Sequence, residues 1–160
     1  MSAPDATAEA GLVSVQIGGQ TFGVPVLEVQ DVIAQTAISR IPLAPPEIAG
    51  SLNLRGRIVT AVDMRRRLGL PPPAALQEDG GVSVIVEQAS GELYALMVDD
   101  VGDVLWLPPS AHEPTPSTLS PAWRRLCDGL YRLEDRLMLV LRTQAVLALD
   151  DPPPGDGPAA

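Results

Sequence analysis

Near the start of the chain, apolar side chains recur at every second position. Val13, Val15 and Ile17 alternate with Ser14 and Gln16, the period of a strand with one buried face. Gly18-Gly19 marks a turn, after which Phe22, Val24 and Val26 resume the alternation. Pro25 has no N–H to donate, which predicts an edge position or a bulge for that strand. Leu27–Ala34 fits a short helical segment or a bent strand. A Pro-rich turn runs from Arg40 through Pro46. Ser51–Leu54 and Arg57–Asp63 then read as the arms of a hairpin with Arg55-Gly56 at its tip, and Met64–Leu68 as a brief helix before Gly69.

The second half repeats this plan. Val82-Ser-Val matches Val13-Ser-Val, Phe22–Ile33 lies over Tyr94–Leu105 without a gap, and Gly50–Asp63 lies over Gly129–Arg142 in the same way. Matching blocks in one order indicate two similar modules of about five short strands each. The expected fold is therefore all-β with short helices, built as two tandem five-stranded β-barrels, which dispose of exposed sheet edges. The expected boundaries are 11–70 for the first barrel, 71–81 for a Pro/Gly-rich connection, and 82–149 for the second barrel with a helix at Thr143–Leu149. Residues 1–10 and 150–160 read as flexible tails. The second module carries an extra loop, Pro108–Gly129, with an amphipathic turn at Trp123, Leu126 and Cys127. Leu93–Val98 and Leu137–Leu141 are apolar on both faces. One face can fill a barrel, and the other needs a cover: the second barrel, the last helix, or a partner.

Composition sharpens this picture. Hydrophobic residues make up 46% of the chain and aromatics 3%, so the core must be aliphatic. A net charge of −9 argues against nucleic acid and against anionic membrane surfaces. No apolar run approaches the ~20 residues that span a bilayer. Met1–Ala10 lacks the basic start of a signal peptide, which makes the cytoplasm the expected compartment.

The search for chemistry yields no catalytic set. His112 is the only His and lies in a Pro-rich loop, without partners at metal-binding or acid–base spacing. Cys127 is the only Cys, and its neighbours Trp123 and Leu126 favour a packed thiol over a reactive one. The chain has no Lys, which removes phosphate-loop and Schiff-base chemistry. Asp99, Asp100 and Asp103 lack the offsets of a calcium loop and read as solvated acids. Arg65-Arg66-Arg67 reads as a solvated helix end. The expectation is a protein that is not an enzyme and carries no cofactor or metal.

The runs at 22–32, 40–70, 95–107 and 128–141 resemble, in order and spacing, the CheW family of chemotaxis coupling proteins. The most specific piece is G-S-L-N-L-R-G-x-I-V-x-x-V-D, Gly50 to Asp63. The resemblance implies two SH3-like barrels side by side. It also implies a non-catalytic adaptor that couples chemoreceptors (methyl-accepting proteins) to the histidine kinase CheA, recruited to membrane-associated arrays without inserting in the membrane, and monomeric when isolated. Its partners would be the kinase's regulatory domain, met in a barrel-to-barrel contact, and the cytoplasmic tip of the receptors, docked in an inter-barrel groove. Carried over residue by residue, the receptor surface comprises Val29, Asp31, Gly50, Arg55 and Val104. For the kinase the resemblance names no contact, and Pro42, Leu54, Arg57 and Ile58 stand as candidates. Where many relatives have V-Q-E-I-R-G, this chain has Ile33 and Ala34 in place of the Arg and Gly, and Arg142 replaces an Asp after the last strand. These departures keep open a scaffold of another chemosensory pathway, for example one steering pilus motility.

Overall fold

The computed structural model describes residues 10–34, 38–70 and 82–148. In chain order the elements are β1 (Ala10–Ile17), β2 (Gln20–Pro25), β3 (Val29–Ala34), β4 (Ile48–Leu54), β5 (Arg57–Asp63), α1 (Met64–Arg67), β6 (Val82–Glu87) and β7 (Leu93–Val98). They continue as β8 (Asp100–Leu107), β9 (His112–Glu113), α2 (Pro121–Leu126), β10 (Cys127–Arg132), β11 (Leu137–Leu141) and α3 (Thr143–Val146). One sheet runs β8-β1-β2-β11-β10-β9 and the other β3-β6-β7-β5-β4. The fold is the expected all-β one, with short helices at strand ends.

The two sheets obey the sequence repeat, but they exchange its parts. The hairpin β1–β2 of the first half pairs with β8 and β11 of the second. The matching hairpin β6–β7 pairs with β3 and β5 of the first. Even the register is shared: Phe22 faces Leu139, and their repeat counterparts Tyr94 and Thr60 face each other. The expected partition into 11–70 and 82–149 is therefore not the partition of the sheets. One sheet is contiguous, Val29 to Val98; the other takes its strands from both sides of it. Local alternation decides which face of a strand is buried, but not which strand lies beside it.

A smaller correction concerns the first repeat block. Val24 and Leu96 are counterparts, and they face Val13 and Val84 respectively. Val13 thus corresponds to Val84, two residues beyond the Val82 read from sequence. A slip of two preserves the buried face, so the side-chain pattern cannot detect it. Pro25 also departs from expectation, since β2 is an inner strand. It is tolerated because it is the last residue of β2, and the ladder to β11 involves only Thr21–Gly23.

Each sheet curls around its own small core. Leu52, Val59, Ala61, Ile85 and Ala95 fill one barrel, and Leu12, Tyr131, Met138 and Val140 fill the other. A third and larger cluster lies between the sheets, where Val13, Val15, Phe22 and Val24 meet Val84, Val86, Leu96 and Val98. The loop Pro108–Gly129 seals this cluster with α2. Trp123 is fully buried and stacks on Phe22, ring centroids 6.1 Å apart. Ser120 caps α2 by accepting from the Trp123 N–H at 3.3 Å.

The arginine triplet is mostly not solvated. Arg67 is buried and donates to the carbonyls of Val146 (2.6 Å), Ala145 (3.0 Å) and Ala148 (3.2 Å), at the end of α3. These carbonyls lie at and just past the helix end, where a further donor can reach them, and the planar guanidinium fork suits them. Arg65 meets Asp99 through Nε (3.0 Å) and a terminal nitrogen (2.6 Å). That hydrogen bond is the main reason the Arg65 pKa is raised further. Asp99 also accepts from the Gly18 N–H at 2.8 Å, so it is a tie between the sheets rather than a solvated acid. Only Arg66 is exposed as expected. Leu149, the expected end of the last helix, lies outside the described residues.

Two outcomes follow. Fragments cut within 71–81 should each fail to form a stable barrel alone, and mixing them should restore a β-type circular dichroism spectrum and one thermal transition. A fragment that folds by itself would refute the exchange. Trp123→Ala should destabilise the whole chain by about 3–5 kcal/mol in denaturant titration.

Candidate docking surface

The edge strand β3 carries the centre of the surface. Asp31 Oδ2 accepts from Arg55 at 2.8 Å, and Asp31 Oδ1 accepts from the Val32 N–H at 2.8 Å. Arg55 is held out by the β4–β5 turn. Its φ is +51° and that of Gly56 is +86°, the left-handed pair favoured in two-residue hairpins. Asn53 Oδ1 accepts from the Gly56 N–H at 2.9 Å and fixes the turn. Two residues far apart in sequence, both expected on the receptor surface, thus form one exposed ion pair.

The other expected receptor residues have different settings. Val29 is half-buried against the core between the sheets. Gly50 is buried and offers no side chain to a partner. Its φ is +152°, and a Cβ there would lie 2.2 Å from the Ser39 carbonyl oxygen. Its repeat counterpart Gly129 has the same role, with the Glu113 carbonyl oxygen 2.6 Å from a Cβ position. Both glycines let a flanking segment pair closely with the following hairpin, as Ser39 does with Ser51 and Glu113 with Leu130. Val104 is 42% exposed on β8, the edge of the other sheet, opposite Val13. It does not join the Asp31–Arg55 pair.

Among the kinase candidates, Ile58 is 69% exposed at the start of β5. Arg57 beside it donates to the Gly91 carbonyl at 3.2 Å. Leu54 packs partly into the β3–β7 barrel. Pro42 is exposed in the Arg40–Pro46 turn, which borders a cavity of about 670 Å³ with Ile48, Asp63 and Arg66. Next to Pro42, Leu43 is fully exposed at a φ of +63°.

The apolar groove expected between the barrels is not open. The chain's own side chains fill that seam as the larger core. A cleft of about 430 Å³ does remain, with Glu87 and Gln88 from one sheet facing Glu28, Asp128 and Arg142. Its lining is mixed, with Pro25, Ala89, Val140 and Leu141 beside those polar groups. Glu28 accepts there from Thr143 Oγ1. Apolar surface instead lies on the sheet edges and turns: Leu27, Val32, Leu43, Ile58, Val104 and Trp106. Sequence reading missed Leu27 and Trp106. The repeat held a signal for both, since their counterparts Asp99 and Ala34 are polar or small, so no barrel needs an apolar residue there.

His112 and Cys127 take structural places. The His112 ring contacts Tyr131 edge-on at 5.4 Å, and its Nε2 lies 2.9 Å from the Asp128 carbonyl oxygen. Burial pushes the Cys127 thiol up to about 12, the weaker pull of Arg142 notwithstanding.

Comparisons with known proteins give the family and the fold. Residues 11–151 match a family profile described as CheW-like domain. The chain is 28% identical over 139 residues to the probable chemotaxis protein CheW of Rhizobium etli, with 86% of each chain covered. To the chemotaxis protein CheW of Rhizobium meliloti it is 28% identical over 140 residues, 88% of each. The crystal structure of the scaffolding protein TtCheW from Thermoanaerobacter tengcongensis superposes with a TM-score of 0.77 at 23% identity, covering 92% of this chain and 96% of that one. That likeness shows the shared fold.

Three measurements check these settings. Arg55→Ala should change stability by about 1 kcal/mol or less, because an exposed pair contributes little. Gly50→Ala should cost about 1–3 kcal/mol through strain at positive φ, with more from the clash. For Cys127, the folded state keeps a proton that the unfolded chain releases above its ordinary 9.0. Its contribution is complete below that pH and is lost as the pH rises towards about 12. Cys127→Ala should flatten this alkaline loss in urea titrations.

Proposed function

The chain belongs to the family of CheW-like domains, and from that premise we propose that it is a non-catalytic adaptor coupling the cytoplasmic tips of chemoreceptors to the histidine kinase CheA. The observation that carries the reading is the exposed Asp31–Arg55 pair on an edge strand, beside exposed Val32. A pair of this kind contributes roughly 0–1 kcal/mol within the chain. Its carboxylate and guanidinium are available to orient a partner and to discriminate against wrong ones. Val29 backs that surface from its half-buried place at the start of β3, Gly50 supports it through the backbone alone, and Val104 offers a separate exposed position on the edge of the other sheet.

Kinase contact falls to the β4–β5 hairpin of the contiguous barrel, where Ile58 is exposed beside Arg57 and close to Leu54 near the tip, with Pro42 exposed at the other end of the hairpin. An exposed apolar residue with a charged border has the make-up of a binding patch. None of the described helices is long and apolar enough to cross a membrane. In this reading the protein works in the cytoplasm and reaches the membrane through its receptors.

The test is a kinase assay reconstituted with receptor fragments. Arg55→Ala should fold normally and lose receptor-dependent control of the kinase. Ile58→Glu should weaken kinase binding about ten-fold or more while receptor binding stays intact, read by pull-down or titration calorimetry. Unchanged control by both variants would remove the roles assigned here.

A further inference from the structure

Every strand of the six-stranded sheet contributes a residue to one cleft of about 350 Å³. Trp106 and Leu27 on its rim are 58% and 93% exposed, so the cleft opens to solvent at the mouth of that barrel. Barrel mouths are common places for small ligands, and this volume is at the low end of ligand pockets, roughly 300–1,000 Å³. Aromatic residues are scarce in the chain, two Trp, two Tyr and one Phe, yet Trp106 and Tyr131 both line the cleft beside the single His, His112. The fold does not dictate these choices. In the other barrel the repeat puts Ala34 and Leu52 in the places of Trp106 and Tyr131, and Ala49 in the place of Asp128.

Trp106 stands opposite Gly11 in the β1–β8 ladder and fills the space of the missing side chain. A Cβ at Gly11 would lie 2.6 Å from Cζ3 of the ring and 2.7 Å from Cγ1 of Val26. The ring is thus held before any ligand arrives, which lowers the ordering cost of binding. Asp128 supplies a charge at the same cleft. Its Oδ1 accepts from Arg142 at 3.4 Å, a long contact between exposed side chains, and its Oδ2 has no hydrogen-bond partner among the described residues. Its field reaches the cleft wall. Burial raises the Tyr131 phenol first and the negative charge of Asp128 raises it further, so the phenol stays neutral. A carboxylate near aromatic rings attracts a cation and repels an anion.

We propose that the mouth of the six-stranded barrel binds a small organic cation, a primary ammonium on an apolar body, with the ammonium at Asp128 and the body against Trp106 and Leu27. Pro25 and Val26 add apolar area for that body. The adjoining cleft of about 430 Å³ shares Pro25, Asp128 and Val140 but has no aromatic ring in its lining, and Arg142 borders it. It therefore lacks what the first cleft offers to a cation. Such binding needs neither receptor nor kinase, so its failure would leave the adaptor reading untouched.

The experiment titrates the full chain with three probes of similar shape: phenethylammonium, phenethyl alcohol and phenylacetate. The ammonium should bind about ten-fold or more tightly than the alcohol, the gain expected of a charge-assisted contact, and phenylacetate should not bind. Its binding should change tryptophan emission through Trp106, because Trp123 is already buried. Backbone amide shifts should concentrate at 11–12, 26–27, 106 and 128–131. Asp128→Asn, at an exposed position, should remove the preference for ammonium over alcohol without changing the melting transition. Trp106→Leu keeps apolar area but removes the ring, and should weaken ammonium binding several-fold. No binding of the ammonium, equal binding of ammonium and alcohol, unchanged affinity in Asp128→Asn, or shifts centred on 87–89 and 143–144 would each overturn the proposal. The probe comparison on the unaltered chain decides it even where a variant fails to fold.

Discussion

The parallel pairing of β2 with β11 and of β7 with β5 is the constraint on which the rest of the molecule depends. Each is the place where a hairpin from one half of the chain enters the sheet of the other. Neither barrel can close without strands from both repeats, so the two barrels form one folding unit. The backbone ladder supplies the connection, and the aliphatic core between the sheets supplies most of the driving force.

That core also limits where binding can occur. Where Phe22, Trp123 and the facing valines fill the seam, the chain's own side chains occupy the place that a foreign helix would need. Strand exchange leaves the margins outside that core, among them the edges β3 and β8 and the tip of the β4–β5 hairpin. Val32, Ile58, Val104 and Trp106 are exposed at such margins, and Leu27 and Leu43 are exposed in turns. In the adaptor reading proposed above, several small, separate faces would serve more than one partner.

Repetition made the frame, and departures from repetition made the faces. Gly50 and Gly129 do the same backbone work in both sheets, and matching bulges recur in β3 and β8. Arg55 has Glu134 as its counterpart, Leu27 has Asp99, and Trp106 has Ala34. Since the core does not require these residues to differ, the differences alter what each edge presents to other proteins. Arg67 shows the opposite case, a charge that looked solvated in sequence and is spent inside on the end of α3.

The sequence by itself determined the β class, the internal repeat, the β4–β5 hairpin and the aliphatic core, because these follow from local alternation, turn residues and composition. It also marked Asp31 and Arg55, through a motif rather than through any visible contact. Only the tertiary structure decided that the repeats exchange hairpins, that Arg67 and Asp99 are internal ties, and that the seam is closed. Those outcomes depend on which strands lie side by side. A period of two records the buried face of a strand and says nothing about the identity of its neighbour.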